Sequence, residues 1–358
     1  MESDKPLMGI KGRGAEINPG NRFEKLKLEV LDEHLNYMEE SGEKRILKTE
    51  FFNDHSKTIL SKNDSPDLGF DYSINPYKGC EHGCIYCYAR PTHEYLGFSS
   101  GVDFETKIMI KKNAPLLLEK EFQSKSWVPQ LVIFSGNTDC YQPVERKLQL
   151  TRQCLEVFLK YKNPVGMITK NSLIKRDADI LQEMAKSNLC SVTISITTLN
   201  KNIRSVMEPR TSTPQQRLDT VKYLSDKGIP VGVNIGPIIP GLTDEEIPDL
   251  VKAAADSGAY TTNTILLRLP WQVKELFSTW VESHFPARKE KILNRIKDVR
   301  GGSLYNSKFG ERFKGEGKWP ELITQIHDQA RKKYGLGTKK IVLRTDLFDR
   351  EFYQGKLF

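Results

Sequence analysis

From residue 72 onward, short runs rich in Val, Ile and Thr alternate with longer stretches of helical period, and this alternation restricts the fold more than any other feature of the chain. The runs are 72–76 (YSINP), 130–135 (QLVIFS), 165–169 (VGMIT), 191–196 (SVTISI), 231–236 (VGVNIG) and 263–268 (NTILLR), each stopping at Gly, Pro, Asn or Lys. Helix-like segments cover 146–160, 176–187, 214–227 and 244–257. Strands and helices in strict alternation predict an α/β fold with a parallel sheet. The length suits a curved, partly closed barrel, a partial (β/α)6 TIM-type barrel, with a flat doubly wound sheet as the alternative. In either arrangement the reactive site belongs at the C-terminal ends of the strands, where the strand-to-helix loops converge.

Three regions are expected. Residues 1–69 form a polar, irregular N-terminal extension with a charged helical stretch at 25–39, residues 70–270 form the barrel, and residues 271–358 form a helical basic region. The segment 300–320, RGGSLYNSKFGERFKGEGKWP, reads as an ordered loop because glycines and aromatics punctuate it. No apolar run reaches 18 residues, which excludes a membrane-spanning helix. The opening MESDKPLMGIKGRG lacks an apolar signal core, so a cytoplasmic location is expected. The net charge is +8, and residues 288–350 carry 17 Lys and Arg against 8 Asp and Glu, enough to account for the whole surplus. Such a face attracts nucleic acid by counterion release, or it is simply a solvated helical surface. Trp271, Trp280 and Trp319 beside these bases are either a stacking surface or core.

Three of the six cysteines fall within eight positions, in Cys80-Glu-His-Gly-Cys84-Ile-Tyr-Cys87, on the loop after the first predicted strand. Thiolates at these spacings suit zinc, with His82 or His93 as a fourth ligand, or a 4Fe-4S cluster with one iron left open to an external molecule. Cys140, Cys154 and Cys190 are too far apart for a local chelate and read as buried thiols. His93-Glu94 is either a proton-handling pair or an ordinary loop histidine beside an acid.

The C-x3-C-x2-C pattern with Tyr86 before its third cysteine resembles the signature of the radical S-adenosylmethionine (radical SAM) enzymes. The resemblance covers about residues 70–270 and is closer still to the spore photoproduct lyase family and the DNA repair photolyase-like proteins grouped with it. Several short matches carry that second step: Cys84-Ile-Tyr-Cys87-Tyr88, the turn Ser135-Gly136-Asn137-Thr138-Asp139, Thr169-Lys170, Ser195-Ile196, and the strand and glycine turn around Asn234. The resemblance implies that Cys80, Cys84 and Cys87 hold a 4Fe-4S cluster whose open iron chelates S-adenosylmethionine. It implies cofactor contacts from Tyr86, the 135–139 turn, Lys170, Ser195 and Asn234, a part in radical transfer for Tyr88, and a flavodoxin or ferredoxin as reductant. It departs from the lyase pattern at Gly136, where the lyase carries a hydrogen-returning cysteine, and this argues against repair of the spore lesion.

Three readings follow. One is a radical SAM enzyme acting on DNA or RNA as a lyase or in base repair or modification. Another is a radical SAM enzyme acting on a protein or small molecule. The third is a zinc-stabilised nucleic-acid-binding protein without catalysis.

Overall fold

A computed structural model describes residues 12–23, 47–338 and 341–350. Its main sheet has seven strands in the order β10-β9-β8-β7-β6-β3-β2. These are β2 (Leu60–Lys62), β3 (Tyr72–Ile74), β6 (Val132–Phe134), β7 (Val165–Thr169), β8 (Cys190–Ser195), β9 (Val231–Ile238) and β10 (Thr261–Leu266). Every pairing from β3 to β10 is parallel, and only the edge strand β2 runs antiparallel. The six parallel strands are the six runs read from the sequence, which gives the partial barrel. A second sheet of three strands joins β1 (Glu50–Asn53), β5 (Lys107–Ile110) and β4 (Tyr77–Lys78). The alternation missed this small sheet because strands of two to four residues have no readable period.

Helices α1 (Ala114–Gln123), α2 (Leu150–Tyr161), α3 (Ala178–Lys186), α4 (Lys201–Met207), α5 (Pro214–Asp226) and α6 (Ile247–Asp256) link the strands. Helix α5 starts where the sequence says it should. Thr213 and Gln216 form a capping box, and Pro214 occupies the first turn, where its missing N–H costs nothing. The predicted 146–160 helix is broken at Gln149, whose positive φ of 53° separates a short turn of helix from α2. The predicted strand at 263–268 lies two residues earlier, at β10.

Phe122, Trp127, Phe134, Phe158 and Tyr161 form the aromatic centre of the core between sheet and helices. The C-terminal region adds α7 (Val273–His284), α8 (Lys289–Asp298) and α9 (Lys318–Lys333). Ile323 and Ala330 of α9 belong to the same core, and the His327 ring meets the Thr262 hydroxyl of β10 at 3.0 Å. Trp280 is buried and donates to Val206 O at 3.1 Å, and Trp319 packs on the core, so of the three tryptophans only Trp271 is exposed. The expected helical stretch at 25–39 lies outside the described residues. No described helix is long and apolar enough to cross a membrane.

Segment 300–316 closes the open side of the barrel. Leu266 N on the last strand donates to Phe313 O at 3.0 Å. Across the opening, Asp67 in the β2–β3 connection accepts from Gly310 N at 2.7 Å and from Arg312 Nε at 2.5 Å.

Phe122→Ala should cost about 3–5 kcal/mol, since the ring is fully buried against four aromatic neighbours. The difference in denaturant midpoints between variant and parent measures it.

Candidate active site

The cysteine loop leaves β4 and runs from Gly79 to Ala89 across the C-terminal ends of the parallel strands. Gly79 and Gly83 have φ of 79° and 69°, the left-handed conformation that glycine adopts without strain. Cys80 N donates to Phe104 O at 2.9 Å, Ile85 N to Met207 O at 3.1 Å, and Arg210 N to His82 O at 3.2 Å. The loop is thus sewn to the helical turn before β5 and to the segment after α4.

Arg90 fixes its centre. The fully buried guanidinium donates to Cys84 O at 2.9 and 3.0 Å, to Gly101 O at 2.9 Å, and to Glu105 Oε1 at 2.5 Å. Glu105 in turn accepts from Gly14 N at 3.0 Å and Ala15 N at 2.8 Å, which clamps the N-terminal segment onto the loop. A Cβ at Gly14 would stand 1.7 Å from Gly83 O, so the two backbones touch where only glycine fits. Nothing in the periodicity of the sequence points to this contact.

Cys80 and Cys84 are buried and Cys87 half-buried. Burial above all, then Asp139 and the neighbouring thiols, holds the Cys80 thiol well above its usual range. Burial followed by Glu208 does the same to Cys84. Among the described residues no group of three or more His, Cys, Asp or Glu side chains is placed to hold a metal ion, so the fit of a metal centre is judged on the donor set. That set is three thiols on one loop, Cys84 in an apolar cluster with Ile85 and Tyr86, Cys80 in a second with Ala89 and Phe104, and Cys87 packed against both. Sulfur donors in an apolar shell suit an iron-sulfur centre, whose assembly displaces the thiol protons. Of the two histidines offered as a fourth zinc ligand, His82 is engaged with other residues, and His93 is buried with neither ring nitrogen hydrogen-bonded among the described residues. His82 Nε2 meets Asn171 Nδ2 at 3.0 Å and its Nδ1 lies 3.3 Å from Asp139 Oδ2, while His93 is buried against Phe98 and Phe104. Glu94 turns from His93 to Arg22, with 2.6 Å between Nε and Oε2, so the two are not a proton-handling pair.

Lys170 follows the end of β7 and Ser195 ends β8, and Asn234, in the middle of the longer β9, stands directly opposite Ser195. Lys170 Nζ lies 5.9 Å from the Tyr86 ring centre, 3.4 Å from Gly236 O and 3.9 Å from Glu208 Oε1. Glu208 is fully buried. It accepts from Tyr86 Oη, from Thr197 Oγ1 at 2.7 Å and from Arg217 Nη2. Burial opposes its charge, but Arg217, then Lys170 and the hydrogen bonds from Tyr86 and Arg217 outweigh that and hold its pKa at about 2. The sequence reading missed Glu208, Thr197 and Arg217. In the stretch MEPRTSTPQQR Glu208 and Arg217 read as solvated side chains, and Thr197 as one more hydroxyl after a strand; only the fold joins them at Glu208, 3.9 Å from Lys170.

The 135–139 turn is used mainly by the protein itself. Ser135 has φ 67° and its Oγ accepts from Cys140 N at 2.8 Å. Thr138 Oγ1 donates to Tyr77 O at 2.8 Å and accepts from Asn75 Nδ2. Asp139 accepts from Thr169 Oγ1 and Lys170 N, both at 2.8 Å, and from Tyr141 N, tying β6 to β7. Asn137 is exposed, and Gly136 O accepts from Tyr88 Oη at 2.8 Å. Cys140, Cys154 and Cys190 are fully buried in the main core.

Residues 74–254 match the radical SAM superfamily, half of the chain. The chain belongs to that superfamily. An uncharacterised protein of Mycobacterium tuberculosis is 33% identical to it over 246 residues, 68% of this chain and 71% of that protein. The radical SAM Nalpha-GlyT isomerase of Pseudomonas phage M6 is 25% identical over 189 residues, 51% of this chain and 36% of its own length. Among solved structures, a spore photoproduct lyase variant with bound AdoMet and dinucleoside spore photoproduct shares the fold, with a TM-score of 0.58, 14% identity, and coverage of 85% of this chain and 91% of that one. Membership of the radical SAM superfamily makes the protein an enzyme and implies S-adenosylmethionine and an iron-sulfur cluster as its cofactors.

Two variants test the framework. Gly14→Ala should lower both the iron bound on reconstitution and the melting temperature, because the new Cβ displaces the cysteine loop. Glu208→Gln should cost about 3–5 kcal/mol by leaving Arg217 unpaired in the interior. The pKa of Glu208 is depressed from 4.5 to about 2, so its stabilisation is complete above pH 4.5 and is lost as pH falls towards 2. Acid titrations of unfolding should show that loss in the parent and not in Glu208→Gln.

Proposed function

We propose that Cys80, Cys84 and Cys87 hold a 4Fe-4S cluster, that Lys170, Ser195 and Asn234 receive S-adenosylmethionine, and that the substrate enters beside Tyr88. When bound, the cluster supplies the electron that cleaves the sulfonium to methionine and a 5'-deoxyadenosyl radical, which takes hydrogen from the substrate. The observation that carries this reading is the position of Lys170, a cation at a strand end between Tyr86 and the buried Glu208. Glu208 offsets the cost of keeping an ammonium in a half-buried site, and the ammonium is then a partner for the cofactor carboxylate. The Ser195 hydroxyl and the Asn234 amide, one strand apart, suit a ribose and an adenine edge. The apolar clusters that contain Cys84 and Cys80 limit the water that reaches the loop. A small electron-transfer protein such as a flavodoxin or ferredoxin is the expected reductant.

The proposed substrate is nucleic acid. The surplus of nine positive charges in residues 288–350 supports this. So does the dinucleoside spore photoproduct bound in the lyase structure. Gly136 and the burial of Cys140 leave no thiol at the mouth to return hydrogen as the lyase does, which favours a reaction other than spore photoproduct repair.

Anaerobic reconstitution with iron and sulfide, followed by dithionite and S-adenosylmethionine, should release 5'-deoxyadenosine from the parent. Cys84→Ala should lose iron and nucleoside release while keeping its circular dichroism, and intact iron content in it would refute the ligand assignment. Lys170→Ala should weaken cofactor binding about tenfold or more, about 1.4 kcal/mol, by equilibrium dialysis.

A further inference from the structure

Beyond Tyr88, aromatic rings and guanidinium groups alternate from the cysteine loop out across the closing segment. Arg268, just past β10, has its guanidinium carbon 5.5 Å from the Tyr88 ring centre and 4.6 Å from that of Phe313. Arg312 lies 5.1 Å from Phe313 and 4.5 Å from Phe309, whose ring is 57% exposed. The two arginines differ in one respect. Arg312 is paired with Asp67, whereas among the described residues Arg268 makes no hydrogen bond and no ion pair, and its Nε is buried without an acceptor.

Two rings against a planar guanidinium leave its N–H edge as the part still to be satisfied. A buried donor without an acceptor is unfavourable until a ligand brings one, and a forked edge of donors matches the paired oxygens of an oxyanion. A second cation increases the demand. Arg300 is anchored on Leu266, Leu267 and Glu311 carbonyls and, by burial and then by Arg268, is held down at about pKa 10. Two close cations, aromatic faces for bases and a basic surround favour a phosphodiester over a lone carboxylate.

We propose that Arg268 holds a backbone phosphate of a single nucleic-acid strand that runs along Tyr88, Phe313 and Phe309, next to the nucleotide that reacts. The inference rests on the proposed nucleic-acid substrate and names the residue that fixes its register. The position explains why the protein spends a hydrogen bond, Leu266 N to Phe313 O, on holding one ring of the closing segment over the sheet edge.

The test measures fluorescence anisotropy of the reconstituted full-length protein with a labelled thymidine decamer, its uncharged methylphosphonate analogue, and an acidic decapeptide. The charged decamer should bind at least tenfold tighter than the neutral one. Arg268→Gln should lose about five- to tenfold for the charged decamer alone, with the salt slope reduced by about 0.7, one phosphate on a single strand. Arg268→Lys should fall between the two. Should Arg268→Gln fail to fold, Phe309→Ala, an exposed ring, should weaken decamer binding about fivefold. Unchanged affinity in Arg268→Gln, equal losses for both decamers, or an Arg268 dependence seen only with the peptide would overturn the assignment. Nucleoside release without nucleic acid is measured alongside, so a protein that cleaves the cofactor but shows no Arg268 effect loses this inference and keeps the radical chemistry.

Discussion

The buried pair of Arg90 and Glu105 is the interaction on which the rest of the site depends. Arg90 uses its donors on carbonyls of the cysteine loop and its neighbours, and Glu105 spends its oxygens on Arg90 and on the backbone N–H groups of Gly14 and Ala15. A buried ion pair is weak evidence for stability, since desolvation consumes much of its attraction. Its value here is geometric. An irregular loop of three cysteines cannot satisfy its own backbone, and one planar cation supplies several donors at fixed angles to hold it open. The cation needs a counterion, the counterion needs further donors, and those come from a segment some 90 residues earlier in the chain.

The same economy governs the strand ends. Asp139 binds β6 to β7, and Glu208 joins Tyr86, Thr197, Arg217 and Lys170. Glu208 is buried and held ionised by Arg217, Lys170 and hydrogen bonds that outweigh its burial, and, against burial, His82 with hydrogen bonds from backbone N–H groups lowers the pKa of Asp139, so the floor beneath the cysteine loop is a polar network of fixed geometry. Electrostatic preorganisation of this kind costs no rearrangement when a charged cofactor arrives. Lys170 lies over the ring of the loop's tyrosine, 5.9 Å from its centre, and its charge is left partly available to a ligand.

The sheet was legible because its central parallel strands, β6 to β9, are largely buried on both faces and therefore read as compact apolar runs. The cysteine spacing was legible because chelation is local in sequence. What stayed hidden was long-range. Gly14 resembles any loop glycine until its backbone meets Gly83, and Glu208 resembles a surface acid until Arg217 closes over it. The strands at Glu50–Asn53 and Leu60–Lys62 were passed over as irregular, since they are too short to show alternation and owe their existence to partners elsewhere. Thr138 and Asp139 show the converse. The match of a short turn drew attention to them as cofactor contacts, and their oxygens are largely occupied in joining neighbouring strands.

Electron paramagnetic resonance of the anaerobically reconstituted, dithionite-reduced protein tests the central claim most directly, recorded before and after addition of S-adenosylmethionine. The account predicts a reduced 4Fe-4S signal that changes when the cofactor binds the open iron, and no such signal in the Cys84→Ala variant. A cluster signal that S-adenosylmethionine leaves unmoved, or a protein that takes up stoichiometric zinc and no iron, would contradict it.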